Sequence, residues 1–401
     1  MKPVWKVKKI NDIATVVNGG TPDTNRKDFW GGNILWITPK DMGKLSSIYV
    51  DDTERKITEA GLKNSSAKMI PPNSIILSSR APIGHLAINN FEISTNQGCK
   101  GIIPKKEILT KYLYYFLRNS IELLNSLGTG TTFKELSSTK LNDVEVPIPP
   151  LPEQQHIVGI LDQSFAAIDQ AIENTAINKE YSKEIYEAFI DNIFDSLIKI
   201  CPTKKLNEIS IIRPPKNEAK EKLNVSSMVS FAPMEDLGIN QKYMIPEKEK
   251  KLIDVYGGYT YFAENDVLLA KITPCFENGK LGIAKELMNS IGFGSSEYIV
   301  FRPFDRLRSE FLYYFLSREK FRNEGVKHMQ GAVGHKRVSL DFVSNYLIPI
   351  PSLEQQDEII DKIDIFFDQT NSLRSNYENK IDLYQELKQS ILHKAFNRDL
   401  T

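Results

Sequence analysis

The stretch Pro147-Ile148-Pro149-Pro150-Leu151-Pro152-Glu153-Gln154-Gln155 returns as Pro349-Ile350-Pro351-Ser352-Leu353-Glu354-Gln355-Gln356, and each copy opens a long segment poor in Gly and Pro. From Pro147 to Pro349 the offset is 202 residues in a chain of 401, so the repeated unit is a whole domain with a helix attached. A solenoid repeats at a much shorter period. Pro-x-Pro holds the approach to each segment extended and forbids helical continuation backward. Beyond it, Gly159 is the only Gly between Glu153 and Ile200, where there is no Pro, and neither residue occurs between Glu354 and Phe396. Apolar residues recur at Val158, Leu161, Phe165, Ile168 and Ile172, and again at Phe366, Leu373, Tyr377, Ile381, Tyr384, Leu387 and Ile391. That three-and-four spacing is a packed helical seam. At 1.5 Å per residue each helix runs on the order of 65 Å, too long for one globular core. The two are expected to pack on each other as an antiparallel pair. The alternative is that each lies against its own domain or another subunit.

The echo continues upstream. Tyr112-Leu113-Tyr114-Tyr115-Phe116-Leu117 answers Phe311-Leu312-Tyr313-Tyr314-Phe315-Leu316 at an offset of 199, and Gly130 answers Gly331 at 201. The register then drifts. Leu77-Ser78-Ser79-Arg80 sits against Leu269-Ala270-Lys271 at 192, and Trp36-Ile37-Thr38-Pro39-Lys40 against Ser230-Phe231-Ala232-Pro233-Met234 at 194. A conserved hydrophobic skeleton with divergent residues between its members suggests one scaffold put to two recognition tasks. Strand-like runs such as Ser74-Ile75-Ile76-Leu77-Ser78 and Asp266-Val267-Leu268-Leu269 are punctuated by Gly and Pro, and helices are expected over 111–124 and 309–323. Each unit reads as a mixed α+β domain with a small irregular sheet. The expected division is a domain at 1–150, a long helix at 151–201, a second domain at 202–352 and a second helix at 353–401.

With 41% hydrophobic and 25% charged residues, the chain has enough apolar material for two cores of about 150 residues each. No run of about 18 apolar residues exists, and Met1-Lys2-Pro3-Val4-Trp5-Lys6 lacks the apolar stretch of a signal peptide, so neither membrane nor secretion is indicated and cytoplasm is the expectation. Cys99, Cys201 and Cys275 are odd in number and form no Cys-x-x-Cys, which argues against a disulfide framework or a zinc site; they read as small core residues. The formal net charge of zero hides a pattern. Residues 1–150 carry 20 Lys and Arg against 14 Asp and Glu, whereas 151–200 carry 3 against 9. The second half repeats this, with 22 against 18 over 201–352 and 6 against 10 over 353–401. Basic globular units alternate with acidic helices, so a polyanion is drawn to the former and repelled by the latter.

Catalytic constellations are mostly missing. His85, His156, His328, His335 and His393 make no His-x-x-x-His pair, which leaves a metal hydrolase without support. Gly128-Thr129-Gly130-Thr131-Thr132-Phe133-Lys134 lacks both the ending and the spacing of a phosphate loop. Gly292-Phe293-Gly294 has no Asn/Asp-Pro-Pro-Tyr to accompany it, as an amino-methyltransferase requires, and reads as a turn. A magnesium-binding nuclease set can be assembled from Asp236, Glu249 and Lys251, but the run from Glu247 to Lys251 alternates in charge as solvated faces do.

The doubled Pro-x-Pro and Glu-Gln-Gln joint, with a mixed domain before each copy and a long helix after it, resembles the specificity subunit of Type I restriction-modification systems. Further phrases of that family are Gly19-Gly20-Thr21-Pro22, Trp36-Ile37-Thr38-Pro39-Lys40-Asp41, Ser79-Arg80-Ala81-Pro82-Ile83-Gly84 and Thr95-Asn96-Gln97-Gly98. The second unit departs from them, with Lys271-Ile272-Thr273-Pro274 in place of Arg80-Ala81-Pro82 and Ser295-Ser296-Glu297-Tyr298 in place of Thr95-Asn96-Gln97-Gly98. The resemblance implies an α+β chain with a pseudo-two-fold internal repeat. Two tandem mixed α/β target recognition domains are separated by two long helices in an antiparallel coiled coil. It implies a non-catalytic reader of double-stranded DNA, without metal or cofactor, in which each domain reads half of a bipartite site and the helices form a ruler between them. Methylation and cleavage then belong to methyltransferase subunits, two of them because a duplicated chain offers two similar docking surfaces, and to restriction subunits joined through the complex. A stand-alone magnesium nuclease and a protein-only helical scaffold are the competing readings.

Base readout needs Arg, Lys, Asn or Gln at groove edges, and phosphate anchoring needs Lys, Arg and backbone amides near Gly-rich turns. The candidates in the first unit are Lys40, Arg80, Asn96, Gln97 and Lys134. In the second unit they are Lys271, Lys280, His335, Lys336 and Arg337.

Overall fold

A computed structural model describes residues 5–130, 134–332 and 334–397; Thr131, Thr132 and Phe133 of the Gly/Thr-rich string and the first four residues of the N-terminal phrase lie outside the described residues. The chain divides into two compact units, one formed by residues 1–175 with 379–401 and the other by 176–378.

The long helices are Leu151–Ile200, of 50 residues, and Leu353–Phe396, of 44. Each contributes to both units. Within the second unit the rings of Tyr186 and Phe367 lie 5.3 Å apart, those of Phe189 and Phe366 lie 4.2 Å apart, and Lys179 meets Glu378 at 2.7 Å. Numbers fall on one helix as they rise on the other, so the pair is antiparallel. Within the first unit Ile157, Leu161 and Phe165 share a core with Leu392, Ala395 and Phe396, and Lys388 meets Asp169 at 2.6 Å.

Leu373 and Leu387 do not take the seam positions that their spacing suggested: they are 41% and 45% exposed. The residues facing inward step through Thr370, Arg374, Tyr377, Ile381, Tyr384, Lys388 and Ile391. Lys388 substitutes for a leucine because its long stem covers apolar surface while its ammonium reaches a charged partner. Its side chain is only 14% exposed, and its ammonium lies 4.9 Å from the Phe165 ring centre.

Each unit is built on a five-stranded sheet of the same order. In the first unit the neighbours run Ala14–Asn18, Cys99–Pro104, Ile75–Ser78, Leu86–Asn89 and Tyr49–Val50; in the second they run Ser210–Ile212, Tyr298–Pro303, Val267–Ala270, Leu281–Ala284 and Tyr243–Met244. A smaller sheet joins Arg55–Ile57, Trp30–Ile37 and Ile93–Thr95, and its counterpart joins Lys248–Lys251, Met228–Ala232 and Ile291–Gly294. The second unit adds a fourth strand there, Thr260–Ala263, and a hairpin of Met329–Gln330 with Arg337–Val338.

Gly292-Phe293-Gly294 is therefore buried strand and not a turn. The glycines serve close packing: a Cβ on Gly292 would fall 2.1 Å from the Phe262 ring, and one on Gly294 would fall 2.3 Å from the Ala232 carbonyl. The helices expected over 111–124 and 309–323 are each two helices. Thr110–Asn119 gives way to Ile121–Leu127 at Ser120, and Ser309–Ser317 gives way to Glu319–Lys327 at Arg318, whose backbone is extended. Of the cysteines, Cys99 is buried, whereas Cys201 and Cys275 are half-buried.

The repeated Glu-Gln-Gln acts through its second Gln. Gln154 is fully buried; its Oε1 accepts from the Leu109 amide at 2.9 Å, and its Nε2 donates to the carbonyls of Glu107 and Pro149. Gln356 does the same with the Arg308 amide and the carbonyls of Arg306 and Pro351. Each joint is thus pinned to the loop that starts the aromatic helix. Among the described residues no helix is long and apolar enough to cross a membrane.

Candidate nucleic-acid interface

In the first unit, turns at the ends of several strands bring the repeated phrases together. The Gly20 amide donates to the Thr95 carbonyl, the Asn96 amide to the Ile37 carbonyl, and the Ser79 amide to the Gly98 carbonyl. The Leu136 amide donates to the Ser79 carbonyl, which ties the segment from Lys134 to Leu136 to the Ser79–Gly84 loop. Gly19 belongs here because a Cβ would meet the Asn96 carbonyl oxygen at 1.9 Å. All five candidates of this unit therefore lie on segments that are bonded to, or flank, one cluster of turns.

Their side chains differ in availability. Lys40 and Lys134 are exposed and make no side-chain hydrogen bond or ion pair with a described residue. The Arg80 guanidinium meets Glu135 at 3.1 Å through Nε. Asn96 is half-buried, and its Oδ1 accepts from the Gly98 amide, so it shapes the turn. Gln97 is exposed, with its Oε1 accepting from the Thr21 hydroxyl. Beneath them Lys100 is 5% exposed and donates to Asn18 Oδ1 at 2.9 Å; burial pulls its pKa below the usual lysine value.

The second unit builds the corresponding face with different contacts. The Lys271 amide donates to the Glu297 carbonyl, the Thr273 amide to the Lys336 carbonyl, and the Val338 amide to the Lys271 carbonyl. Lys271 Nζ donates to the Ser296 carbonyl, and Lys280 Nζ to the Met234 carbonyl, both at 2.8 Å. His335 and Lys336 are exposed. Arg337 grips Glu297 through Nε at 2.9 Å and Nη2 at 2.8 Å. A concave patch beside Lys271 is lined by Arg213, Lys216, Tyr259, Tyr261 and Tyr298.

The two faces carry different charges at matching places. Arg80 bridges Glu135 across two chain segments, and at the matching place Ile272 bridges Arg337. Arg337 thus stands where the first unit has a glutamate, and Ile272 where it has an arginine. Glu135 lies outside the quoted phrases and Glu297 lies where the second unit departs from one, so neither was marked as a partner; each becomes relevant only when its segments pair.

The nuclease set does not assemble. Asp236 ends a short 3-10 turn with Lys248 4.0 Å away, while Glu249 and Lys251 are exposed on an edge strand. Among the described residues no group of three or more His, Cys, Asp or Glu could hold a metal ion.

Comparison with known proteins supplies the context. The family model for the Type I restriction modification DNA specificity domain matches twice, over residues 4–180 and 205–383. The Type I restriction enzyme MjaIX specificity subunit of Methanocaldococcus jannaschii is 42% identical over 192 residues, covering 47% of this chain and 44% of that one. The EcoR124I/EcoR124II specificity subunit of Escherichia coli is 36% identical over 197 residues, covering 47% of this chain and 48% of that one. In these matches the chain spans about half the length of the relatives. The EcoKI specificity subunit of Escherichia coli K12 is 23% identical over 425 residues, covering 99% of this chain and 89% of that one. Among solved structures, one from a study of type I R-M complex assembly and conformational transition superposes with a TM-score of 0.69 at 17% identity, covering 100% of this chain and 99% of that one. The HsdS subunit of Thermoanaerobacter tengcongensis superposes at 0.60 and 17%, covering 100% and 98%. These structures share the fold. With two matches to one model, two sheets of the same strand order and a doubled Gln-pinned joint, the chain belongs to the family of the Type I restriction modification DNA specificity domain.

Proposed function

We propose that this chain is the non-catalytic DNA-reading subunit of a Type I restriction-modification complex. The observation that carries the reading is the pair of candidate faces, one in each unit, on sheets of one strand order but with unlike side chains. Arg80 with Glu135 in the first and Arg337 with Glu297 in the second present different donors and acceptors, so each unit prefers a different short sequence. The recognised site is split and asymmetric. The readers occupy 1–150 and 202–352, and the helical segments occupy 151–201 and 353–401.

The partners are double-stranded DNA, two methyltransferase subunits and, through the complex, restriction subunits, all in the cytoplasm. Two methyltransferases are expected because each joint, with its buried Gln and long helix, recurs once. The test is to mix the chain with its methyltransferase, weigh the complex, supply S-adenosylmethionine and map the methylated adenines. A complex of one specificity chain with two partners and a split asymmetric motif are expected. A palindromic or continuous motif would overturn the split site, and a protein that never binds DNA alongside a methyltransferase would overturn the reading and favour a protein-only scaffold.

A further inference from the structure

Arg337 differs from the other candidate cations in that three of its N–H groups are already bonded, which fixes its orientation. Nε and Nη2 donate to the two oxygens of Glu297, and Nη1 donates to the His335 carbonyl at 3.1 Å. A guanidinium has five N–H groups in a planar fork. Three are taken, which leaves one on each terminal nitrogen, and the side chain is 46% exposed. Two N–H groups on adjacent nitrogens are what a bidentate contact to guanine O6 and N7 requires.

The backbone around the pair is held from both sides. Ile272 bridges Arg337, and the Lys271 amide donates to the Glu297 carbonyl, so one segment carries both residues. Lys271 Nζ lies 3.8 Å from Glu297 Oε2, the oxygen that accepts from Arg337 Nε, and its charge helps to keep that carboxylate ionised. This is preorganisation of a donor fork, and little side-chain freedom remains to be lost on contact.

Electrostatics decides between a phosphate and a base. A phosphate approaching Arg337 would meet Glu297 as a like charge, and the one surplus cation beside the pair, Lys271, is largely buried with its ammonium donating to the Ser296 carbonyl. A guanine edge is neutral and offers two acceptors, so the carboxylate does not repel it. Lys336, exposed and free of a side-chain ion pair among the described residues, has the opposite character and suits a phosphate. Arg80 is less constrained, with one contact to Glu135.

We infer that Arg337 reads one guanine in the half-site of the second unit, with Glu297 as its positioning residue; the inference rests on the DNA-reading role proposed above. The experiment uses the full chain with its methyltransferase subunits, in the wild type and in R337A, R337K and E297Q, and maps the methylated motif of each. The wild-type motif should contain a G·C pair at which R337A loses roughly 10- to 100-fold of its preference, every other position being unchanged. R337K keeps the charge but replaces the planar two-nitrogen fork with a single flexible ammonium, so it should weaken preference at the same position and retain affinity for nonspecific DNA. That variant keeps the test decisive if R337A folds poorly. E297Q should relax the same position more weakly, an effect that a merely structural role would not confine to one base pair. An unchanged motif in both Arg337 variants, or a uniform loss of affinity with a flatter salt slope, would overturn the inference and make Arg337 a phosphate anchor. A wild-type complex that methylates no specific site would instead defeat the DNA-reading role itself.

Discussion

Phe396 lies edge-on against Phe116 with ring centres 5.6 Å apart, and Phe194 lies edge-on against Phe315 at 5.3 Å. The offsets are 202 residues on the helix side and 199 on the domain side. Each long helix therefore ends by inserting one phenylalanine into an aromatic helix, Tyr112 completing the first contact and Phe311 the second. Phe194 is fully buried and Phe396 is 8% exposed. Truncating either ring removes a large buried group and leaves a cavity, a loss of about 3–5 kcal/mol. F396A should accelerate amide exchange in Thr110–Asn119 while sparing Ser309–Ser317, and F194A should do the reverse. Equal acceleration of both helices by either variant would show that the contacts are not local.

Gln154 and Gln356, themselves fully buried, each satisfy a backbone amide and two carbonyls, so alanine at either position leaves those groups without their partner. The cost of a buried polar group left unpaired is about 1–3 kcal/mol. Q154A and Q356A should each lower the urea midpoint by a corresponding amount, and Q154E should do no better, because a carboxylate cannot donate to the Glu107 and Pro149 carbonyls. A midpoint within error of wild type for both alanine variants would remove the Gln from the description of the joint.

The joint, the two helices and the repeat were legible because Pro-x-Pro, the absence of Gly and Pro, and three-and-four spacing are local signals. What depended on pairing between distant segments was not. Asp162 accepts from Tyr115 and Lys111, while its counterpart Asp364 accepts from Tyr314 and from Lys242, which lies 122 residues away in a loop. The offset paired the tyrosines, but it marked neither aspartate and had no means of finding a lysine drawn from a different element. Gly292 and Gly294 misled for the same reason, since the Phe262 ring and the Ala232 carbonyl that demand them are more than two dozen residues upstream. Phe194 and Phe396 did carry a signal, the 202-residue offset itself, beyond the last quoted phrase. The candidate faces were legible as a set of cations and amides. Which cations were already paired was not, because Glu135 and Glu297 reach them only across the fold.

Salt dependence separates the anchors from the readers. Lys134 and Lys336 are exposed and make no side-chain bond to a described residue, so each is available to a phosphate. K134A and K336A should weaken binding to all sequences and flatten the slope of log affinity against log salt by roughly one unit each. R80A should instead relax preference at one position of the first unit's half-site, at about 1–3 kcal/mol, with affinity for unrelated DNA retained. Titrating the complex with specific and random duplexes at several salt concentrations distinguishes the two patterns. A steep loss of random-duplex binding in R80A would move it to the anchors.

Acid stability gives an independent reading of the Glu297 clamp. The hydrogen bonds from Arg337 hold the Glu297 carboxyl below the usual glutamate range, against a smaller opposing effect of burial and with help from the charges of Lys271 and Arg337. A carboxylate depressed in the folded state binds its proton more weakly there than in the unfolded chain, whose glutamates titrate near about 4.3. Its contribution is therefore fully present above that value and is lost as pH falls through the lower folded value. E297Q removes the titration and keeps much of the shape. At pH 7 the wild type should be the more stable of the two, by a margin that solvent screening of the half-exposed Arg337 keeps small. As pH falls below the unfolded value and through the lower folded one, the two unfolding curves should converge, because the wild-type carboxyl then takes up its proton while every other titrating group is common to both proteins. Denaturant unfolding of the pair from pH 7 to pH 3 measures the gap directly. A gap that stays constant across that range would mean that the Arg337–Glu297 contact does not hold the carboxylate ionised in solution.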